Sequence, residues 1–301
     1  MLISSKTDLS RVEALRGNVI LHGDKGIGKR MIAEQLAGAW LGVQPEEIFR
    51  HPDFALLEPD GSGIKKEQID EMAETFSVRP SVAEKRVFLV DDASSMNAVS
   101  SNALLKPLED NSPWTAFILV AHGPMIDTIR SRCLEVRVAT PSEDELRAYL
   151  GGQVNEVCLL AADGRVGLYR QLSGKKDYLD EMSRFLTALN SMRNKGEILA
   201  ATGALKEKDK AFYNDRFDAV EMEGFLNLLQ GLFFRHMIAL ASGNPDEEHP
   251  LVRGGALTRL YDLMAAEKVW GELEKCRKLR ARNKFSRNDM FSLVAVLAGR
   301  G

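Results

Sequence analysis

The segment from Val19 to Trp40 constrains this chain more than any other. The apolar run Val19-Ile20-Leu21 reads as a buried strand. Gly23-Asp24-Lys25-Gly26-Ile27-Gly28-Lys29-Arg30 follows it, and Met31 to Trp40 reads as a helix. Gly, four residues, Gly and Lys between a strand and a helix is the pattern of a loop that cradles phosphates. Its glycines let the backbone turn tightly and aim N–H groups at an anion. Lys29 would reach the outer phosphates. Such a loop ordinarily continues into Ser or Thr, whose hydroxyl binds magnesium. Here the position is Arg30, which has no hydroxyl and carries a positive charge. The expectation is a nucleotide-binding architecture with a departure at its metal position. The bland alternative is a glycine-rich turn that binds nothing.

Beyond the loop, strands and helices alternate. Phe54 to Leu57 is a short apolar run after His51-Pro52-Asp53, and Gly61-Ser62-Gly63 breaks the chain. Ile64, Ile69, Met72, Ala73 and Phe76 recur at roughly helical spacing. Arg86 to Val90 reads as a buried strand that ends in Asp91-Asp92. Ala98 to Leu108 reads as a helix, and Pro107 within it should kink or shorten it. Phe117 to Val120 is another buried strand, and Leu134 to Val138 alternates as an edge strand does. Continuous apolar strands interleaved with helices imply a parallel α/β sheet covered on both faces. After Pro141 only helical periodicity remains. It opens on Ser142-Glu143-Asp144-Glu145, an N-cap with acidic residues in the first turn. Gly151-Gly152, Gly174, Gly203, Gly243-Asn244-Pro245 and Gly254-Gly255 punctuate it. The expected domains are 1–140, 141–174 and 175–301.

Bulk properties set outer limits. Hydrophobic content of 45% and charged content of 28% fall in the globular range. No apolar run approaches the roughly 18 residues of a membrane helix, and the N-terminus lacks a signal-peptide core. Cys133, Cys158 and Cys276 lie far apart and suit a reducing cytoplasm. A net charge of −3 argues against gripping DNA by bulk charge alone.

Asp91 and Asp92 follow a strand, where a carboxylate can hold magnesium beside phosphates. ATPases of this kind usually carry Glu next, to position the attacking water. Asp92 is one methylene shorter, a shortfall of about 1.5 Å, and misplacement of about 1 Å can cost 100-fold in rate. The other reading of Asp92 is a cap on the following helix. Ser101-Asn102-Ala103-Leu104-Leu105-Lys106-Pro107-Leu108-Glu109-Asp110 and Thr128-Ile129-Arg130-Ser131-Arg132-Cys133 complete the chemistry-bearing segments.

Taken with the loop, His51-Pro52-Asp53 and Asp91-Asp92, these segments resemble the bacterial AAA+ clamp-loader subunits of DNA polymerase III, the delta-prime kind most. The resemblance is specific over roughly residues 17 to 140 and architectural beyond. It implies an AAA+ P-loop domain over 1–140, a small helical lid over 141–174 and an all-helical collar over 175–301. It also implies that Arg132 reaches across a subunit boundary to ATP bound by a neighbour. A planar guanidinium pairs two phosphate oxygens and stays charged. The bland reading has Arg130 or Arg132 capping the sheet edge by a surface ion pair.

The departures matter as much. Relatives often carry Thr or Ser at a sensor position that falls here near Ala121-His122. A second sensor arginine would fall on Leu168, with Arg165 and Arg170 facing elsewhere. The segment that frames adenine is short and unlike the family's. Leu41 to Arg50 contains none of the four cysteines that hold zinc in many relatives, so no zinc is expected.

The resemblance then implies a non-catalytic, stator-type subunit that offers Arg132 to a neighbouring motor. Gly23, Gly26, Gly28, Lys29, Asp91 and Asp92 would form a vestigial or weak nucleotide site that requires no cofactor and holds ATP or ADP inertly. Expected partners are gamma/tau-type motors and a delta-type subunit in a hetero-pentamer, with the sliding clamp and primer–template DNA reached through the complex. No membrane is involved. The alternatives are a working clamp-loader ATPase using Lys29, Asp91 and Asp92, and an AAA+ adaptor outside replication. Lys275, Arg277, Lys278, Arg280, Arg282, Lys284 and Arg287 form a basic stretch that contacts DNA or an acidic neighbour, or is a solvated helix face. Leu226, Leu229, Phe233 and Met237 recur at helical spacing as core or subunit contact.

Overall fold

Five apolar runs become five parallel strands. They are β1 (Val19–His22), β2 (Phe54–Leu57), β3 (Arg86–Val90), β4 (Thr115–Ala121) and β5 (Leu134–Arg137), in the order β2-β3-β4-β1-β5. The computed structural model describes residues 7, 17–61, 63–76, 78–110, 112–192, 197, 218–244, 247, 249–252, 256–281 and 287–297. The N-terminal segment, Ser62, Gly203, Pro245, Gly254-Gly255, Arg282, Lys284 and the side chain of Arg287 lie outside the described residues.

Side chains alternate across a strand, so each strand feeds two cores. Val19, Leu21, Val87, Leu89, Ile118 and Val120 pack with Ile32, Ala33, Leu36 and Trp40 of α1 (Lys29–Leu41). Ile20, Phe88, Val90, Phe117 and Leu119 point the other way. They meet Ile69 of α2 (Lys66–Phe76), Leu104 and Leu108 of α3 (Ala98–Glu109) and Ile129 of α4 (Asp127–Arg130). Phe88 and Phe117 are register partners, and their rings stack with centroids 5.1 Å apart. Covering both faces explains why the inner strands are apolar throughout. At the edge, β5 keeps the expected alternation: Val136 is buried while Glu135 and Arg137 are exposed.

Two expectations need adjustment. Ile64 is buried but precedes α2, which starts at Lys66. Pro107 does not interrupt α3, which runs through it to Glu109. Its missing N–H removes one donor in the last turn, where the helix is about to end.

The chain divides into two compact units, Met1–Tyr149 and Leu150–Gly301. α5 (Glu143–Leu150) opens on the Ser142 cap, with Glu145 N–H donating to Ser142 Oγ at 3.2 Å and Ser142 N–H to Glu145 Oε2 at 2.8 Å. The second unit carries α6 (Glu156–Ala162), α7 (Val166–Ser173), α8 (Lys176–Ser191), α9 (Ala219–Ser242), α10 (Ala256–Leu260), α11 (Leu263–Ala281) and α12 (Arg287–Leu297). A lid over 141–174 would take α5 to α7 and a collar over 175–301 would take α8 to α12; that partition stays a proposal.

α9 is long and apolar enough by composition to cross a bilayer. Its surroundings are those of a core helix. Leu226, Leu229 and Phe233 are buried, and Met237 is half-buried. Buried Asn227 donates Nδ2–H to Ala161 O at 2.9 Å, and His236 Nε2 lies 3.1 Å from Tyr261 O. Asp218 and Glu221 close a capping box at its start.

Candidate functional site

The loop after β1 is shaped by its glycines. Gly23, Gly26 and Gly28 have φ of 148°, 85° and 96°. At Gly23 a Cβ would stand 2.5 Å from the Val138 carbonyl oxygen, so only glycine fits there. α1 begins at Lys29 with no side chain capping its N-terminus and no acid in its first turn. Its first N–H groups therefore face the loop, as anion binding requires. Lys29 is buried, and its Nζ donates to the carbonyls of Gly23, at 2.7 Å, and Asp24. Burial pushes its ammonium from 10.5 down to about 8, against the pull of Asp24, Asp91 and Asp92.

Arg30 is the centre of an ion-pair cluster. Its Nη1 donates to Asp91 Oδ2 at 2.6 Å and to Glu58 Oε1 at 2.8 Å, and its Nε to Glu34 Oε1 at 2.7 Å. Burial lowers the guanidinium pKa, but the bonds to Glu58, Glu34 and Asp91 outweigh that and raise it. The other oxygen of Asp91 accepts from the Asp92 N–H at 3.0 Å. Asp92 has a left-handed backbone, φ 46°, and its Oδ1 accepts from Ser94 Oγ at 2.7 Å. Ser94 Oγ in turn accepts the His122 N–H at 3.0 Å. So Asp92 and His122, just after β4, are joined through Ser94. Asp92 does not cap the following helix; Asn97 does, accepting from Val99 and Ser100 N–H at 2.9 Å. Burial, then the charge of Lys29, holds the His122 imidazole below its ordinary range.

An AAA+ P-loop domain ordinarily holds magnesium beside the phosphates, but these residues do not fit it. The hydroxyl ligand is replaced by Arg30, and that same guanidinium sits on the carboxylate that would share the ion.

Arg130 and Arg132 take different roles. Arg130 pairs with Glu135 of β5 at 3.0 Å and with Asp127 at 2.9 Å, which is the sheet-edge ion pair. Arg132 leaves the sheet edge and reaches α3. Its Nε donates to Glu109 Oε1 at 2.8 Å, its Nη2 contacts the same oxygen, and its Nη1 donates to Thr128 O at 2.6 Å. Glu109, Arg132, Ser131, Cys133 and Leu108 line an open surface concavity. Cys133 is chemically quiet, since burial pushes its thiol up to about 12.

Other expectations resolve plainly. Leu168 is buried in α7. Arg165 pairs with Glu223 of α9. In the basic stretch, Lys275 pairs with Glu272 at 3.0 Å, Arg277 with Asp163 at 3.7 Å and Arg280 with Glu223 at 3.9 Å. Those charges are matched within the helical unit.

Asp53 is the residue whose work the sequence did not reveal. It is fully buried and accepts from the N–H groups of Ser81, Val82 and Ala83 at 2.6, 2.8 and 2.9 Å, with Arg86 Nη2 at 3.3 Å. It thereby pins the approach to β3, and so the position of Asp91. The His51-Pro52-Asp53 triplet was the available signal, but its partners lie about thirty residues away.

The sheet order, the loop after β1 and the acid pair after β3 define an AAA+-type P-loop domain. Residues 8–142 match a family model described as DNA polymerase III, delta subunit. "DNA polymerase III subunit delta'" of Bacillus subtilis is 36% identical over 129 residues, which is 38% of this chain and 39% of that protein. The protein of the same name in Pseudomonas aeruginosa is 31% identical over 140 residues, 40% of this chain and 43% of its own. The chain thus aligns with about two-fifths of the length of these curated relatives. A crystal structure of a DNA polymerase III gamma subunit-related protein from Thermotoga maritima shares the fold, with a TM-score of 0.50, 18% identity and coverage of 97% of this chain and 98% of that one. Residues 8–142 are therefore similar in sequence to DNA polymerase III subunits of the delta-prime kind.

Proposed function

We propose that this chain is a non-catalytic, stator-type subunit of a bacterial DNA polymerase III clamp loader. It supplies Arg132 in trans to the ATP site of an adjacent motor. The observation that carries the reading is the contrast between two arginines. Arg30 is bonded by three carboxylates, Glu34, Glu58 and Asp91, at the chain's own loop. Arg132 lines an open surface concavity, held by one carboxylate, the Thr128 carbonyl and the Ser131 hydroxyl, with planar donors that suit a phosphate. The partners are gamma/tau-type and delta-type subunits in a hetero-pentamer in the cytoplasm. The sliding clamp and primer–template DNA are met through that assembly. The chain's own loop requires no nucleotide and hydrolyses none, and no zinc is used.

A working ATPase built on Lys29, Asp91 and Asp92 would need Arg30 to leave Asp91, which makes it the weaker reading. The test is Arg132→Ala in a complex reconstituted with motor and delta-type subunits. Arginine fingers supply about 10³–10⁵ in rate at their own site. Clamp-loading turnover should fall at least about tenfold while the complex still assembles. Unchanged turnover would refute the finger.

A further inference from the structure

We propose that Arg30 is a resident cation at this loop: its guanidinium has taken the magnesium position, and the site is closed to divalent metal. The argument is geometric. Three carboxylates from three places converge on one side chain: Glu34 from α1, Glu58 just after β2 and Asp91 just after β3. The nitrogens of Arg30 lie 2.6–2.8 Å from them. Magnesium demands near-octahedral oxygen ligands at about 2.0–2.1 Å and gives up water reluctantly. Here both oxygens of Asp91 are already engaged, one by Arg30 and one by the Asp92 N–H. A second cation at Asp91 would meet an adjoining positive charge that never deprotonates. The remaining oxygens of Glu34 and Glu58 belong to side chains held towards Arg30. The guanidinium also does what an ion would do mechanically, tying the start of α1 to the ends of β2 and β3.

The consequence concerns ligand chemistry, independently of Arg132. A nucleotide polyphosphate meeting this loop finds its counter-charges in the loop N–H groups, Lys25, Lys29 and Arg30, with no metal among them. Its binding is therefore indifferent to magnesium. Calorimetric titration of the full chain with ATP, in EDTA and in excess Mg2+, tests this. Paramagnetic titration with Mn2+ alone tests it directly. In the wild type, ATP binding should differ by less than about threefold between the two conditions, undetectable heat in both included, and no Mn2+ should be held. Arg30→Ser restores a hydroxyl and frees Asp91. It should acquire one Mn2+ site and ATP binding at least about tenfold stronger with Mg2+. Arg30→Gln keeps the bulk without the charge, and it should also acquire Mn2+ if the serine variant does not fold. Magnesium strengthening of ATP binding in the wild type by threefold or more would overturn the proposal. So would Mn2+ bound by the wild type and lost in Asp91→Asn, or the failure of both folded Arg30 variants to gain metal.

Discussion

Asp53 carries a full charge in a site that water does not reach. Isolated, such a carboxylate would be raised in pKa; here three N–H groups and Arg86 outweigh burial and hold it at about 2. Asp53→Asn keeps the shape, but its amide offers one acceptor and two donors where four donors converge. It should destabilise the fold by about 2–4 kcal/mol in urea unfolding. The folded carboxyl titrates at about 2 and the unfolded one at 3.8, so the unfolded chain binds more protons in that window. The advantage over the variant should be complete above pH 4 and fade as pH falls towards 2. Lys29 is shifted for a different reason, burial disfavouring its charged form, but the slope has the same sign. The folded state releases its proton at about 8 and the unfolded chain at 10.5. Between those values the unfolded state again holds more protons, so stability relative to Lys29→Met should rise with pH. Equal slopes for the two proteins from pH 8 to 10.5 would show that Lys29 is not desolvated. Arg30 was legible in the sequence as a departure. Its partners were not, because Glu58 and Asp91 are joined to it only by the packing of β2 and β3 against α1.

At the level of elements, the apolar runs were legible because both faces of the sheet are covered, which leaves a continuous hydrophobic signature. The boundaries were less so. β4 extends to Thr115 and Ala121 because register with β3 and β1 supplies hydrogen-bond partners to residues that are not themselves strongly apolar. α1 starts at Lys29, before the apolar spacing begins, because Gly28 in the left-handed region sets the turn into it. The loop between them depends on close approach. At Gly23 the conformation is one that L side chains rarely adopt, and Val138 O belongs to backbone that cannot swing away. Gly23→Ala should therefore cost about 2 kcal/mol or more in thermal unfolding. Substitution at Gly42, also of positive φ but with open space around it, should cost less. A similar loss at both positions would mean that backbone conformation, rather than the Val138 contact, sets the cost.

Across the whole molecule, information is unevenly distributed between the two units. Residues 8–142 carry the sequence likeness to the curated relatives, and the helical residues after Leu150 are matched through the fold. Phosphate and arginine chemistry restricts residue type at fixed positions, whereas helix packing asks only for apolar residues of adequate volume. The helical content of the second unit was therefore legible from periodicity, but the pairing of α9 with α6 and α11 was not. This division sets what the purified chain should do. If residues 1–149 retain the P-loop fold with Arg30 seated on Asp91, the chain alone should turn over no ATP, and Lys29→Ala should change nothing in that assay. Turnover abolished by Lys29→Ala would mean that Arg30 moves aside and the loop is a working motor. The same preparation, mixed with gamma/tau-type and delta-type subunits, should co-elute with them as one complex. Failure to join them would separate the chemistry of the first unit from clamp loading. It would leave an adaptor whose Arg132 serves some other ATPase.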